Sequence, residues 1–145
     1  MAHNAETPNR IHLLGSGTHE ENLAAAAITP GHLLKLNSAN KVAVHASAGG
    51  VTERLFALED ALQGRTIATA YAADEIVAVL KASPGDHVYA FLSEGEYVNI
   101  GDTLVSNGDG TLKPGTTNVV GVALENLDAS DTASEGDQRL KIRVV

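Results

Sequence analysis

Cysteine is absent from this sequence of 145 residues. Its absence excludes disulfide bonds, thiolate-ligated metal sites and catalysis by a cysteine nucleophile. Aromatic residues are also scarce, at 3% of the chain. The hydrophobic core must therefore consist of Val, Leu, Ile and Ala side chains, and the aromatic platforms that usually form sugar-binding sites are in short supply.

Basic residues are few, with 10 Lys and Arg against 18 Asp and Glu, so the formal net charge is −8. Nucleic-acid binding requires clustered basic residues that neutralise phosphates, and anionic membranes attract the same residues. We therefore expect neither nucleic acid nor a membrane as a partner. The first residues contain no apolar run typical of a signal peptide, and no segment reaches the apolar length of a transmembrane helix.

The common catalytic and metal-binding motifs are missing from the sequence. No two of the six histidines have the spacing of a zinc-protease motif with a Glu between them, and no Gly-x-Ser-x-Gly elbow is present. The segment 107–110, Asn-Gly-Asp-Gly, resembles half of a calcium loop but lacks the remaining acids, and it has no Lys that would carry biotin or lipoate. We expect no catalytic, metal-binding or cofactor-binding residues, and surface or half-buried histidines.

Glycine is abundant, at 14 residues, which is typical of a protein with short strands and many turns. The clearest pattern lies in residues 95–114, where Gly101 allows a kink and the sequence at 107–110 favours a hairpin turn. We predict a short strand before the kink, a second strand at Thr103–Ser106 and a third at 111–113.

An earlier segment, residues 31–42, has the same layout as residues 101–112. Four aligned pairs match in type: Gly31 with Gly101, Leu34 with Leu104, Asn37 with Asn107, and Val42 with Leu112. We interpret this match as two similar hairpins that build a small two-sided β structure.

Residues 53–63 carry the pattern of a short α-helix. Thr52 can cap its first turn and Gly64 can end it. The apolar residues recur at helical spacing, at Leu55, Leu58 and Leu62. A helix of this length suffices to close one end of a barrel or sandwich, but it is too short to define a helical fold.

The remaining apolar segments have the alternation or the continuous apolar character of strands. We predict a first hairpin across residues 34–44 and further strands at 66–71, 76–80, 87–92, 119–124 and 139–145. In the last strand we expect Leu140, Ile142 and Val144 to point inward, and its place in the sheet, central or at an edge, stays open.

Residues 1–27 differ from the rest of the sequence, because they are largely polar and carry one brief apolar island at 11–14. We interpret them as an extended N-terminal arm with little core of its own, followed by a β-rich domain at 28–145. Two alternatives stay open for the arm: a loosely ordered terminus, or a segment that orders on a partner protein and is anchored by Ile11, Leu13 and Leu14.

The order of these segments resembles the small capsid decoration (cement) proteins of tailed bacteriophages. The segments that carry the resemblance are 28–36, 56–64, 66–71, 84–90, 95–105, 109–114, 120–125 and the basic final strand. The resemblance covers residues 30–145, and the first of these segments begins two residues before that span. The arm is not part of the resemblance.

The resemblance implies a small β-barrel or β-tulip with one short helix. It implies a protein without enzymatic activity or cofactor that binds the major capsid protein on the outer surface of the virion, often as a trimer, and stabilises the head against DNA pressure. On this hypothesis, Ile11, His12, Leu13 and Leu14 are the candidate capsid-binding residues. The alternative function is a small-ligand-binding or enzymatic β-barrel module, which a defined pocket with converging polar groups would favour.

Overall fold

The computed structural model describes residues 8–130 and 136–145. This part of the chain consists of short β-strands and a 3-10 helix at Ala61–Gln63, which confirms the prediction of a mainly β fold. The strands are β1 (His12–Leu14), β2 (Thr18–Leu23), β3 (Leu33–Leu36), β4 (Val42–Val44), β5 (Leu55–Ala57), β6 (Ile76–Lys81), β7 (His87–Leu92), β8 (Tyr97–Val98), β9 (Thr103–Ser106), β10 (Leu112–Pro114), β11 (Gly121–Ala123), β12 (Leu127–Asp128) and β13 (Gln138–Val144). Among the described residues, no helix has the length and apolar character needed to cross a membrane.

Ten of the strands form two units with the same connectivity. In the first unit the strand order is β2-β6-β5-β3-β4, and a parallel bridge between Ala24 and Val42 joins its ends. In the second unit the order is β7-β13-β11-β9-β10, and parallel pairing of Leu112 with Leu92 closes a five-stranded barrel. The small β-barrel implied by the resemblance is therefore confirmed.

The two units also share their strand register. β3 and β9 have equal length and lie 70 residues apart, and the same holds for β4 and β10. Leu34 pairs with Val44 in the first hairpin, and Leu104 pairs with Pro114 at the equivalent place in the second. Both predicted hairpins are confirmed, and they are equivalent in three dimensions.

Matching backbone hydrogen bonds extend this repeat beyond the hairpins. The N–H of Gly31 donates to the carbonyl of Ala57 at 2.9 Å, and the N–H of Gly101 donates to the carbonyl of Ala123 at 2.9 Å. Both glycines have positive φ angles, 101° and 94°, which other residues adopt only with strain. The match between the two sequence segments therefore marks one part of a structural repeat that covers each whole unit.

Apolar side chains form two buried clusters. The smaller cluster lies within the first unit and contains Ala24, Ile28, Leu34, Val42, Leu55, Ala57, Tyr71, Val77 and Val79. The larger cluster includes most of the buried apolar residues of the second unit and also Leu33, Phe56 and Leu80 of the first. Because neighbouring residues of a strand point to opposite faces, β3 and β5 contribute to both clusters. The part of the first unit's outer face formed by Leu33, Phe56 and Leu80 is thus buried against the second unit.

The predicted α-helix at residues 53–63 is wrong. Leu55–Ala57 form β5, which pairs with β3 and β6, and only Ala61–Gln63 form a helical turn, of the 3-10 type. All three residues of β5 are buried, so strand pairing and burial on both faces override the helical spacing of the leucines. Leu62, which completed the predicted apolar stripe, is 100% exposed.

The predicted strand at 66–71 is also wrong. Tyr71 makes a single β-bridge to Ile28, and the preceding residues form turns and loop. Ala68, Thr69 and Ala70 are exposed, since such small side chains bury too little apolar area to hold a strand against a neighbour.

Other strands lie where the sequence predicted them. β7 and β9 match their predicted bounds, β6 is one residue longer at its end, and β11 is shorter than predicted. β13 pairs with both β7 and β11, so the last strand has a central place in the barrel. Leu140, Ile142 and Val144 are buried as expected.

The prediction of an arm with little core of its own is wrong for the described residues 8–27. β1 pairs with β7, all six residues of β2 pair with β6, and Ile11 is 0% exposed. β2 could not be recognised in the sequence, because Thr-His-Glu-Glu-Asn-Leu has no apolar alternation. A strand at the edge of a sheet can be exposed on both faces and therefore does not need that pattern. Residues 1–7 of the predicted arm lie outside the described part of the chain.

Candidate functional site

The four predicted capsid-binding residues lie on or next to β1. Ile11 belongs to the larger core cluster, its N–H donates to Glu59 Oε1 at 3.1 Å, and its carbonyl accepts from the N–H of Tyr89 at 2.8 Å. Its side chain is therefore a core element and not a free anchor. His12 and Leu13 are half-buried, whereas Leu14 is 59% exposed. Their contact with a capsid stays a prediction.

A groove of about 640 Å³ lies beside β1 and β2. Four acids line it, Glu20, Glu21, Glu59 and Asp60, and Arg10 is the basic residue among the lining groups. Leu58, Leu62 and Ile76 add apolar surface. We call this feature the acidic groove. Its acids come from β2 and from the loop after β5, which are distant in sequence, so their meeting could not be predicted from the sequence.

A chain of polar side chains lies at one end of the acidic groove. His12 Nδ1 is 2.9 Å from His19 Nε2, and His12 Nε2 is 3.5 Å from Asp86 Oδ2. Asp86 is buried, and its carboxylate accepts from the backbone N–H groups of Ser16, Gly17 and Ser83 at 3.0–3.1 Å. With three donors on its carboxylate, Asp86 anchors the loop between β1 and β2 to the start of β7.

Glycines in that loop allow the carboxylate to approach the backbone. A Cβ atom at Gly15 would lie 1.9 Å from Asp86 Oδ1, and one at Gly17 would lie 2.3 Å from Asp86 Oδ2. Any larger residue would displace the carboxylate from its donors. The Gly-Ser-Gly segment at residues 15–17 therefore anchors Asp86.

His45 forms a second polar connection, between the two units. Its Nδ1 is 2.7 Å from Ser106 Oγ, and its Nε2 is 2.9 Å from the carbonyl of Val51. Because a carbonyl only accepts, Nε2 carries the proton and Nδ1 accepts from the Ser106 hydroxyl in the neutral ring. This buried histidine and serine are occupied by structural hydrogen bonds.

The 107–110 turn contacts the first unit. The N–H of Leu33 donates to the carbonyl of Gly110 at 2.8 Å, and the N–H of Gly110 donates to the carbonyl of His45 at 3.1 Å. The predicted turn is confirmed, and the N–H of Asn107 donates across it to Thr111 O at 2.9 Å. It joins the two units through backbone hydrogen bonds.

Burial changes the pKa of two groups near this junction. It lowers the pKa of His32, whose Nδ1 accepts from the N–H of Thr29 at 3.1 Å. Burial also lowers the pKa of Arg139, whose guanidinium lies 4.4 Å from the centre of the Phe91 ring and donates to the carbonyls of Pro30 and Ile67. Within residues 8–130 and 136–145, no group of three or more His, Asp or Glu side chains is arranged to hold a metal ion.

The fold of the chain is similar to that of a protein of known structure. It is similar to the crystal structure of the head fiber gp8.5 N base of bacteriophage phi29, with a TM-score of 0.58 and 16% sequence identity. The similarity covers 90% of this chain and 95% of the phi29 chain. No protein-family model and no curated protein sequence matches the chain.

Proposed function

We propose that this protein is a structural component of a bacteriophage head, which binds the outer surface of the shell as a decoration (cement) protein. The observation that supports this most strongly is the shared fold with the phi29 head fiber base over 90% of the chain. The order of sequence segments, which resembles that of capsid decoration proteins, points to the same class. Its partner is the major capsid protein, and its place is the outer face of the virion.

The proposed role is mechanical and does not require catalysis. A decoration protein bridges neighbouring capsid subunits, and many weakly bound copies stabilise the shell together through multivalency. The net charge of −8 suits a position outside the shell, away from packaged DNA. Trimers at local three-fold positions would let each copy contact more than one subunit.

Binding of a small ligand in the acidic groove is the second candidate function. Its volume of about 640 Å³ falls in the range of ligand pockets, roughly 300–1,000 Å³. Its lining contains exposed acids and an exposed leucine, however, and the buried His45 and Ser106 lie elsewhere in structural hydrogen bonds. A protein-binding surface therefore accounts for more of its features.

The experiment uses heads of the phage that encodes the chain, prepared from a mutant that lacks its gene. Purified protein is mixed with these heads, and the mixture is sedimented. We expect the protein to sediment with the heads, to raise the temperature at which they rupture, and to appear as repeated outer density in an electron-microscopy map. Protein that stays in the supernatant, with heads of unchanged stability, would refute the proposal.

A further inference from the structure

Among the described residues, the structural repeat shows one strand position that is filled in the second unit and has no strand in the first. In the second unit, β7 has partners on both edges. β13 pairs along one edge, while β1 and β10 pair with the two ends of the other. The second unit therefore contains an example of strand addition, in which the short β1 supplements a barrel strand.

β2 is the equivalent of β7 in the first unit. Asn22 pairs with Val77 as Ala90 pairs with Leu140, and the parallel bridge from Ala24 corresponds to the closing pair of the second unit. Within residues 8–130 and 136–145, β2 has β6 as its neighbouring strand, and no strand lies where β1 lies on β7. All of β2 except Asn22 is exposed.

The backbone of β2 is oriented to accept an added strand. The N–H of Ala25 donates away from β6, to the carbonyl of Val42 at 2.8 Å. Alternate residues of a strand share a direction, so the N–H of Glu21 also points away from β6. Its equivalent in the second unit, the N–H of Tyr89, donates to the carbonyl of Ile11 on the added segment at 2.8 Å.

The charges beside this edge indicate the chemistry of the added strand. Glu20 and Glu21 lie on β2, and Glu59 and Asp60 lie across the acidic groove. A second copy of β2 would place glutamates opposite glutamates, which destabilises pairing. A basic segment would complement them, and its apolar residues would meet the exposed Leu62 and Ile76.

We propose that the outer edge of β2 and the acidic groove bind an extended segment of a partner protein, rich in Lys or Arg with interspersed apolar residues, by antiparallel strand addition. On the proposed function, which this inference deepens, the partner is a capsid subunit. The added strand takes the place on β2 that β1 holds on β7.

The first test uses a synthetic peptide of alternating Lys and Val and its Glu and Val counterpart. Each is titrated into the isotopically labelled full-length protein, and backbone amide resonances are followed. We expect the Lys peptide to shift the amides of His19, Glu21 and Leu23 most strongly, and the Glu peptide to leave them unchanged. Absence of shifts on β2 at millimolar Lys peptide, or equal shifts with both peptides, would overturn the proposal.

Two variants and a matched control separate backbone pairing from charge. Glu21→Pro removes the outward N–H at a position where an edge strand tolerates proline, and Glu20→Lys with Glu21→Lys reverses the charge and leaves the backbone intact. Each should weaken peptide binding roughly tenfold or more. The control, Glu53→Lys with Glu94→Lys, makes the same charge change at exposed sites outside the groove, and should bind like wild type. Unchanged binding by the Glu20 and Glu21 double variant would overturn the proposal.

The same variants applied to phage heads separate this inference from the proposed function. If wild type sediments with heads and the double variant does not, the head-binding role and the β2 site are both supported. Wild-type and variant protein that sediment equally would overturn the β2 site and leave the head-binding role intact. Failure of the wild type to bind heads would refute the head-binding role, while the peptide titration would still decide whether β2 accepts a basic strand.

Discussion

Replacement of Ile11 by Ala tests whether the N-terminal segment is part of the folded core. Ile11 is 0% exposed and belongs to the larger cluster. Truncation of a buried isoleucine to alanine removes its transfer free energy and leaves a cavity, which together cost about 2–5 kcal/mol. The backbone bonds from Ile11 to Glu59 and Tyr89 do not involve the side chain, so the variant isolates the packing contribution.

Leu14, at the end of β1, provides the matched control. It is 59% exposed, and exposed substitutions usually change stability by no more than about 0.5 kcal/mol. Leu14→Ala removes a side chain of the same size class three residues away. If the arm packed loosely, the two substitutions would lower the free energy of unfolding equally. The structure predicts that the loss for Ile11→Ala is several-fold larger than that for Leu14→Ala.

Urea unfolding at 25 °C measures the difference. With a loss of about 3 kcal/mol and an m-value of about 2 kcal/mol/M, the midpoint for Ile11→Ala should fall by about 1.5 M, and that for Leu14→Ala should hardly move. In thermal unfolding the same loss corresponds to a decrease of about 6–12 °C in Tm. An Ile11→Ala variant as stable as Leu14→Ala would refute the assignment of Ile11 to the core.

Three further predictions concern Tyr71, His32 and the first two strands. Burial raises the pKa of Tyr71 to about 12. In an ultraviolet titration Tyr71 should therefore be the last tyrosine to ionise, and Tyr71→Phe should remove that step. Ionisation of all tyrosines together near pH 10 would contradict this prediction. Burial lowers the pKa of His32 below 6.5, so the unfolded protein takes up a proton on His32 more readily than the folded one. The free energy of unfolding should therefore fall as the pH drops below about 6.5 and through the folded pKa, and the urea midpoint of His32→Gln should fall less than that of the wild type. An equal loss in both proteins would contradict the assignment. Deletion of residues 1–27 removes β1 and β2, so the remainder should lose its cooperative unfolding transition, and a wild-type transition would show that these strands are dispensable.

The strands that sequence reasoning located share two signals. β7 and β9 are short segments rich in apolar, aromatic or β-branched residues, and glycine-containing turns bound them at both ends, so both their type and their limits could be predicted. The turn at 107–110 was recognisable for the same reason. Where such a segment and a turn at each end coincide, local sequence suffices to define the element.

The errors arose where pairing partners decide the structure. β5 is buried on both faces and has only three residues, so it lacks the alternation of a strand, while the leucines around it happen to have helical spacing. β2 has the opposite character, because five of its six residues are polar and, within residues 8–130 and 136–145, β6 is the strand that pairs along its length. Neither strand can be recognised without its neighbours, which are distant in sequence.

The repeat was visible in the sequence only at four positions of residues 31–42 and 101–112. Gly31 and Gly101 match because both positions require a positive φ angle, while three of the four positions of β3 differ in type from those of β9. The acidic groove was not predictable, since its acids come from residues 20–21 and 59–60. These segments meet only after β2 has joined the sheet that β5 and β6 share.

The two units allow the effect of one added strand to be compared within a single chain. In the second unit, β1 pairs with the edge of β7 and Ile11 packs in the core, so that edge is occupied within the fold. In the first unit, the equivalent edge of β2 is exposed and carries glutamates that discourage pairing with another copy of itself. This edge is exposed, its glutamates oppose self-association, and it is equivalent to a site of strand addition. A binding role explains these features better than folding alone. The amides of His19, Glu21 and Leu23 are therefore the most direct place to look for a partner.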